Sequence, residues 1–218
     1  MKETSSVNTD QPAEPGDMTS TVLPKQIVVI GASVGGQSAL AQIVPKFPVF
    51  FPGAIIIVQR MRPGFTKLLA RILATESSIT IREAENLNPI YPGLALLTPG
   101  ASACTMTRNN SWSRHPLTIN VDNLSNLEDK SVGPIDIAMK SAAEVYGEKV
   151  IGVMLTGIGE DGREGLRAIK EHGGLTIAQD ESTSTLSDAP RMVADLGLAS
   201  EILPLWAIPN RILEIVGE

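Results

Sequence analysis

The chain has 218 residues, a formal net charge of −6 at pH 7, 43% hydrophobic and 19% charged residues. The acidic balance argues against a nucleic-acid surface, because such surfaces cluster Lys and Arg. The single cysteine, Cys104, excludes an intrachain disulfide framework and a cysteine-based zinc cluster. No apolar run approaches the ~18 residues of a membrane span, and the N-terminus lacks a signal-peptide pattern. These properties predict a cytoplasmic α/β domain with no membrane insertion.

Two regions differ sharply in composition. Residues 1–24 are rich in Ser, Thr, Pro, Asp and Glu and have no apolar periodicity, which predicts a disordered N-terminal tail. In residues 25–218 strand and helix patterns alternate, which predicts one α/β domain. We expect a doubly wound, mostly parallel central sheet with helices on both faces and a small antiparallel hairpin.

The predicted elements are short and regularly spaced along the domain. Strands are predicted at Ile27–Ile30, Ile55–Gln59, Ile79–Arg82, Leu94–Thr98, Val150–Thr156 and Leu175–Ala178. Helices are predicted at Gln37–Val44, Phe65–Ala74, Ile135–Tyr146, Gly162–His172, Asp188–Leu196 and Ile208–Val216. Ala103–Thr107 and Leu117–Val121 flank the polar stretch Arg108–Arg114 and predict the hairpin.

Three glycine-bearing turns follow predicted strands, where open α/β sheets carry their chemistry. The first turn reads GASVGG and contains Ser33, the second reads QRMRPGFT and contains Arg60, and the third reads LTGIGEDG and contains Asp161. A strand, a tight turn and a helix place the Ser33 hydroxyl beside the free N–H groups of a helix start. This geometry suits a phosphate site, a nucleophilic serine or a plain turn.

Taken singly, each turn has an ordinary interpretation. Gly31–Gly35 fits the G-x-S-x-G nucleophile elbow, but the pattern is short and equally typical of a simple turn. A dinucleotide site is disfavoured, because Ser33 stands where the second glycine of G-x-G-x-x-G must let the pyrophosphate approach. Asp161 before Gly162 is also a common helix start.

In combination, the turns resemble the CheB-type chemotaxis protein-glutamate methylesterases over Lys25–Val216. The resemblance also rests on Pro92-Gly93, on Pro99-Gly100 and on the TIAQD stretch at 176–180. It implies a domain that hydrolyses glutamyl methyl esters on the cytoplasmic helices of chemoreceptors, without cofactor or metal. It further implies a triad of serine, histidine and aspartate, of which Ser33 and Asp161 are the first and third members. The remaining cleft positions implied are Val34, Gly35, Gly36, Ile158 and Met61.

The sequence departs from the family pattern at the histidine. Where the family has Gln-His-Met, this chain has Gln59-Arg60-Met61, and Arg62 replaces the first of two prolines. Val34 replaces a threonine, Val132-Gly133-Pro134 replaces Arg-Pro-Ser ahead of Asp136, and no receiver domain is expected. Arginine has no acceptor atom and stays protonated, so Arg60 cannot serve as the general base. We expect it instead to form a bidentate pair with Asp161.

Other candidate bases are weaker. His172 precedes Gly173-Gly174 at a predicted helix end, and His115 lies in the hairpin away from the strand ends. Lys67 lies one turn into the helix after Arg60, so a Ser–Lys pair stays an alternative. Cys104 is expected to serve packing, and Trp112 is a possible interaction residue in the hairpin loop.

Two functions follow from these features. The first is a methylesterase domain that is catalytically impaired by Arg60, or that uses an unrecognised base. The second is a non-catalytic module that docks on receptors or pathway partners.

Overall fold

The structure is a computed structural model that describes residues 22–110, 113–127, 129 and 131–217. Most of the predicted N-terminal tail, together with Trp112, lies outside the described residues. Within that tail, Val22 and Leu23 are exposed, whereas Pro24 is buried. The Tyr146 hydroxyl donates a hydrogen bond of 2.7 Å to the Pro24 carbonyl, so the packed structure includes Pro24.

Seven parallel strands form the central sheet, in the order β10-β9-β8-β1-β2-β5-β3. They are β1 (Ile27–Ala32), β2 (Ala54–Gln59), β3 (Thr80–Glu83), β5 (Leu94–Leu97), β8 (Val150–Met154), β9 (Leu175–Gln179) and β10 (Glu201–Leu203). The mostly parallel doubly wound sheet is therefore confirmed. The strand β10 was not predicted, because three residues at a sheet edge carry little periodic signal.

Helices cover both faces of this sheet. They are α1 (Gly36–Ile43), α2 (Phe65–Glu76), α3 (Pro134–Tyr146), α4 (Arg163–Glu171), α5 (Asp188–Asp195) and α6 (Ile208–Gly217). Alternate residues of β1 enter opposite cores: Val28 packs with α1, α2 and α6, whereas Val29 packs with α3, α4 and α5. Every residue of β1 is buried, as the unbroken β-branched run indicates.

A second, antiparallel sheet packs against α3. Its strands are β4 (Asn88–Pro89), β6 (Ser102–Arg108) and β7 (Leu117–Asn123), in the order β4-β7-β6. The predicted hairpin is thus confirmed with longer strands, and the two-residue strand β4 is an addition. The Ser141 hydroxyl of α3 accepts the Met106 N–H at 2.8 Å, which joins the hairpin to the helix.

The strand order reverses around β1, which is the place where open α/β sheets bind ligands. β1 pairs with β2 on one side and with β8 on the other, with Ala32 opposite Gln59 and Gly31 opposite Met154. The loops that follow these three strands therefore meet at one edge. Among the described residues no helix is long and apolar enough to cross a membrane.

Candidate active site

Ser33 lies in a tight turn that backbone and side-chain contacts hold from both sides. Its N–H donates to the Thr156 carbonyl at 3.1 Å, and its carbonyl accepts from Gly36 N at 3.1 Å and from Gln59 Nε2 at 2.8 Å. Gly35 has φ 82°, and a β-carbon there would lie 2.6 Å from the Thr185 side chain. Glycine is therefore required at this corner by both conformation and space.

Buried polar side chains fasten the loops around this turn. The Thr156 hydroxyl lies 3.0 Å from the carbonyl oxygens of Val34 and Leu186 and accepts the Leu186 N–H at 2.9 Å. Gln179 Oε1 accepts the Thr156 N–H at 2.8 Å. Sequence reasoning did not assign these roles, although a buried polar residue at the end of an apolar strand was a usable signal.

The Asp161 carboxylate stabilises the first turn of α3. Its Oδ1 accepts the N–H of Asp136 at 3.0 Å and its Oδ2 accepts that of Ile135 at 3.3 Å. In return, Asp136 Oδ1 accepts the N–H groups of Gly162 at 3.0 Å and Gly165 at 2.7 Å at the start of α4. Asp161, which precedes α4, thus caps the start of α3, and Asp136, in the first turn of α3, caps the start of α4.

Burial raises the pKa of Asp161, although the N–H groups of α3 and the Arg60 guanidinium act in the opposite direction. Burial also raises the pKa of Asp136, against the opposing hydrogen bonds from Gly165 and Gly162. Two carboxyls close together further disfavour the charged state of Asp161. The charged forms of Asp161 and Asp136 are therefore stabilised mainly by backbone N–H donors.

Arg60 contacts Asp161 through a single long approach, with 3.9 Å between Nε and Oδ2. The expected bidentate pair is therefore wrong. The reason is that both Asp161 oxygens already accept backbone N–H groups of α3. The Arg60 side chain is 44% exposed, and its Nη1 lies 3.5 Å from the Ile158 carbonyl. An ion pair this long and this exposed contributes little to stability.

Arg60 borders two neighbouring cavities. The smaller, about 430 Å³, contains Ser33 together with Met61, Ile158 and Arg62 and is called the Ser33 pocket below. The larger, about 780 Å³, contains Asp161 and Asp136. Arg60 therefore lines both the pocket of the predicted nucleophile and that of the predicted acid.

The predicted cleft residues divide into two groups. Met61 and Ile158 line the Ser33 pocket, and Val34 is 44% exposed beside it. Gly35 and Gly36 form the turn that carries Ser33 and the start of α1. A β-carbon at Gly36 would lie 2.1 Å from Gln59 Oε1, which accounts for the glycine by close packing.

The alternative bases lie elsewhere. His172 ends α4, and its Nδ1 lies 2.8 Å from the Ala168 carbonyl oxygen. His115 lies next to β7, with its carbonyl bonded to the Asn109 side chain. Lys67 lines a separate cavity on α2 with Arg71 and Glu83. Cys104 is buried in β6, and burial raises the pKa of its thiol to about 11.

A metal role finds no support in the described part of the chain. No group of three or more His, Cys, Asp or Glu residues there could hold an ion. The expectation of a site without metal or cofactor stays a prediction.

The part of the chain that resembles known proteins includes Ser33, Arg60 and Asp161. The sequence profile of the family described as CheB methylesterase matches residues 28–212. The chain belongs to the CheB methylesterase family. It is 43% identical over 188 residues to a protein-glutamate methylesterase/protein-glutamine glutaminase 1 of Carboxydothermus hydrogenoformans, covering 86% of this chain and 54% of that relative.

A relative of known structure confirms the fold. The crystal structure of the Thermotoga maritima CheB methylesterase catalytic domain matches with a TM-score of 0.82 and 36% identity, over 88% of this chain and all of that one. A Thermotoga maritima protein-glutamate methylesterase/protein-glutamine glutaminase is likewise 36% identical over 199 residues, which is 56% of its length. The chain spans about half the length of the curated relatives it matches.

Proposed function

We propose that this CheB methylesterase domain retains the serine and aspartate of a chemotaxis esterase but is catalytically impaired at Arg60. The observation that carries the proposal is the position of Arg60, which lines both the Ser33 pocket and the cavity of Asp161. That is the place where a triad base would have to connect the two residues. The Arg-for-His replacement itself rests on the resemblance of the second turn to the family pattern.

The chemical consequence follows from the two side chains. A serine hydroxyl is a weak nucleophile at neutral pH and needs an acceptor for its proton. A guanidinium has five N–H donors and no acceptor atom, so it cannot take that proton. Ester hydrolysis by the domain is then limited to the ~10³–10⁴-fold acceleration over water that binding and oxyanion donors alone supply.

The partners are proposed from the family. Relatives named protein-glutamate methylesterase/protein-glutamine glutaminase act on glutamyl esters and glutaminyl amides, so this domain should recognise the same side chains on methylated cytoplasmic receptor helices. We place the protein in the cytoplasm on this basis. A non-catalytic docking module is the second candidate, because the fold and Ser33 turn are retained while the base is absent.

Hydrolysis of a glutamyl γ-methyl ester, measured as methanol release, tests the proposal. Wild type and Ser33→Ala should release methanol at similar, slow rates. Strong wild-type turnover that Ser33→Ala abolishes would show that another base serves Ser33, and the impairment would be refuted. Circular dichroism of both proteins should confirm that the substitution leaves the fold unchanged.

A further inference from the structure

The Ser33 pocket carries positive charge without a matching carboxylate in its wall. Its described lining includes two guanidinium groups, those of Arg60 and Arg62, and no Asp or Glu. The Asp161 carboxylate, 3.9 Å from Arg60 Nε, lines the adjoining cavity and already accepts two backbone hydrogen bonds. The wall of the Ser33 pocket is therefore cationic, and Arg60 has only the long 3.9 Å contact with Asp161 to offset its charge.

The donors of Arg60 are largely unused by the protein. Nη1 lies 3.5 Å from the Ile158 carbonyl, and Nε lies 3.9 Å from Asp161 Oδ2. Nη2 has no acceptor within the part of the chain that the structure describes. Since a guanidinium presents its N–H groups as a planar fork, these free donors match the two oxygens of a carboxylate.

Arg62 adds a second cation, and its backbone is closely packed. A β-carbon at Gly100 would lie 2.7 Å from the Arg62 carbonyl oxygen, so the Pro99–Ser102 loop packs closely on the Arg62 backbone. The side chain is exposed and makes no ion pair with any described residue. Ser102 lines the same pocket.

We propose that the Ser33 pocket binds the free carboxylate of a glutamyl side chain in preference to its neutral methyl ester. The inference rests on the proposed function, because a working esterase would consume the ester. A carboxylate pairs with the guanidinium of Arg60 and gains from the field of Arg62, whereas an ester offers one neutral acceptor. The domain then recognises the demethylated state of a receptor rather than producing it.

The test compares two ligands that differ in one methyl group: N-acetyl-L-glutamate α-methylamide and its γ-methyl ester. Both are titrated into 15N-labelled Ser33→Ala protein, in which the ester is not consumed through Ser33. Shifts of the Ile158 and Ser102 amides and of the Arg60 Nε–H report binding. We expect the carboxylate to bind about tenfold more tightly than the ester, as one charge-assisted pair requires.

Two variants that each remove one positive charge test whether the preference for the carboxylate arises in the Ser33 pocket. Arg62→Gln should weaken carboxylate binding about fivefold and leave ester binding unchanged. Arg71→Gln removes the same charge from the exposed face of α2, outside the Ser33 pocket, and should change neither affinity. Equal losses in both variants would attribute the preference to net charge and overturn the assignment of the site.

Other results overturn the inference directly. These are equal or tighter binding of the ester, no response to either ligand, or a response to inorganic phosphate without one to the carboxylate. The proposed function fails separately: Ser33-dependent methanol release by the protein with Ser33 intact refutes impairment, whichever ligand the pocket prefers.

Discussion

Gly133 makes room for the carboxylate on which the site depends. A β-carbon at position 133 would lie 2.1 Å from both Cγ and Oδ1 of Asp161. Gly133 has φ −81°, an ordinary conformation, so close approach and not backbone strain accounts for the glycine. The altered Val132-Gly133-Pro134 stretch is visible in the sequence, but this contact is not, because it joins residues far apart in the chain.

We expect Gly133→Ala to lower the free energy of unfolding by about 1–3 kcal/mol, because Asp161 must move out of hydrogen-bond distance of Ile135 and Asp136. Chemical denaturation measures the change. Gly217→Ala is the matched control, since among the described residues no atom beyond its chain neighbours and its own helix backbone lies within 4 Å of the added β-carbon. A neutral Gly133→Ala would mean that Asp161 relaxes without losing its bonds.

Residue chemistry predicted the members of the site better than their contacts. Ser33, Arg60 and Asp161 were assigned to one edge because each follows a strand, and the structure brings Arg60 beside the other two. The bidentate pair predicted between Arg60 and Asp161 is instead a single approach of 3.9 Å. Sequence shows which groups attract each other, but not that α3 already supplies hydrogen bonds to both carboxylate oxygens.

At the scale of elements, α3 and α4 are joined by exchanged caps. Asp136 uses one oxygen, Oδ1, for both Gly162 and Gly165, whereas Asp161 needs both oxygens for its two donors. An asparagine has one acceptor oxygen and one donor nitrogen in place of the two carboxylate oxygens. The same substitution therefore has unequal consequences at the two positions.

Asp136→Asn should cost less than about 1 kcal/mol of unfolding free energy at neutral pH, because one amide oxygen can serve both donors. Asp161→Asn should cost about 1–3 kcal/mol, since its amide nitrogen would face a backbone N–H. Asp195→Asn at the exposed end of α5 controls for the loss of charge and should stay within about 0.5 kcal/mol. Equal losses at 136 and 161 would contradict the separate roles of the oxygens.

The raised pKa of Asp136 predicts a pH dependence. The folded chain holds the Asp136 proton to a higher pH than the unfolded chain, whose pKa is near the ordinary 3.8. This stabilisation is complete below the unfolded pKa and is lost as pH rises through the folded pKa. Asp136→Asn does not titrate there, so the variant should gain stability relative to wild type as pH rises from about 3 to neutrality. Denaturation curves at several pH values measure this difference, and a relative loss would contradict the direction.

At the scale of the whole molecule, the sequence pattern predicted the central sheet and its two helical layers but not the two shortest strands. Strand–helix alternation and unbroken apolar runs indicated the parallel sheet with its two covered faces. β4 and β10 have two and three residues and lack a periodic pattern, so only their neighbours define them. The order of the strands also required coordinates, because no local pattern specifies which strands pair.

Strand order is what assembles the cleft. Ser33, Arg60 and Asp161 come from turns after β1, β2 and β8, which are adjacent only because the chain reverses around β1. Three turns thus meet at one edge, and under the proposed function Arg60 places a cation where a triad needs a base. If the missing base is the principal defect, one substitution should restore part of the activity.

The most direct measurement is hydrolysis of a small activated ester by wild type, Arg60→His, and Arg60→His combined with Ser33→Ala. We predict a gain of about 10²-fold or more in Arg60→His, because a positioned general base contributes that much. The gain should vanish in the double variant. Rapid Ser33-dependent turnover by wild type would contradict the account, as would the absence of any gain in a folded Arg60→His protein.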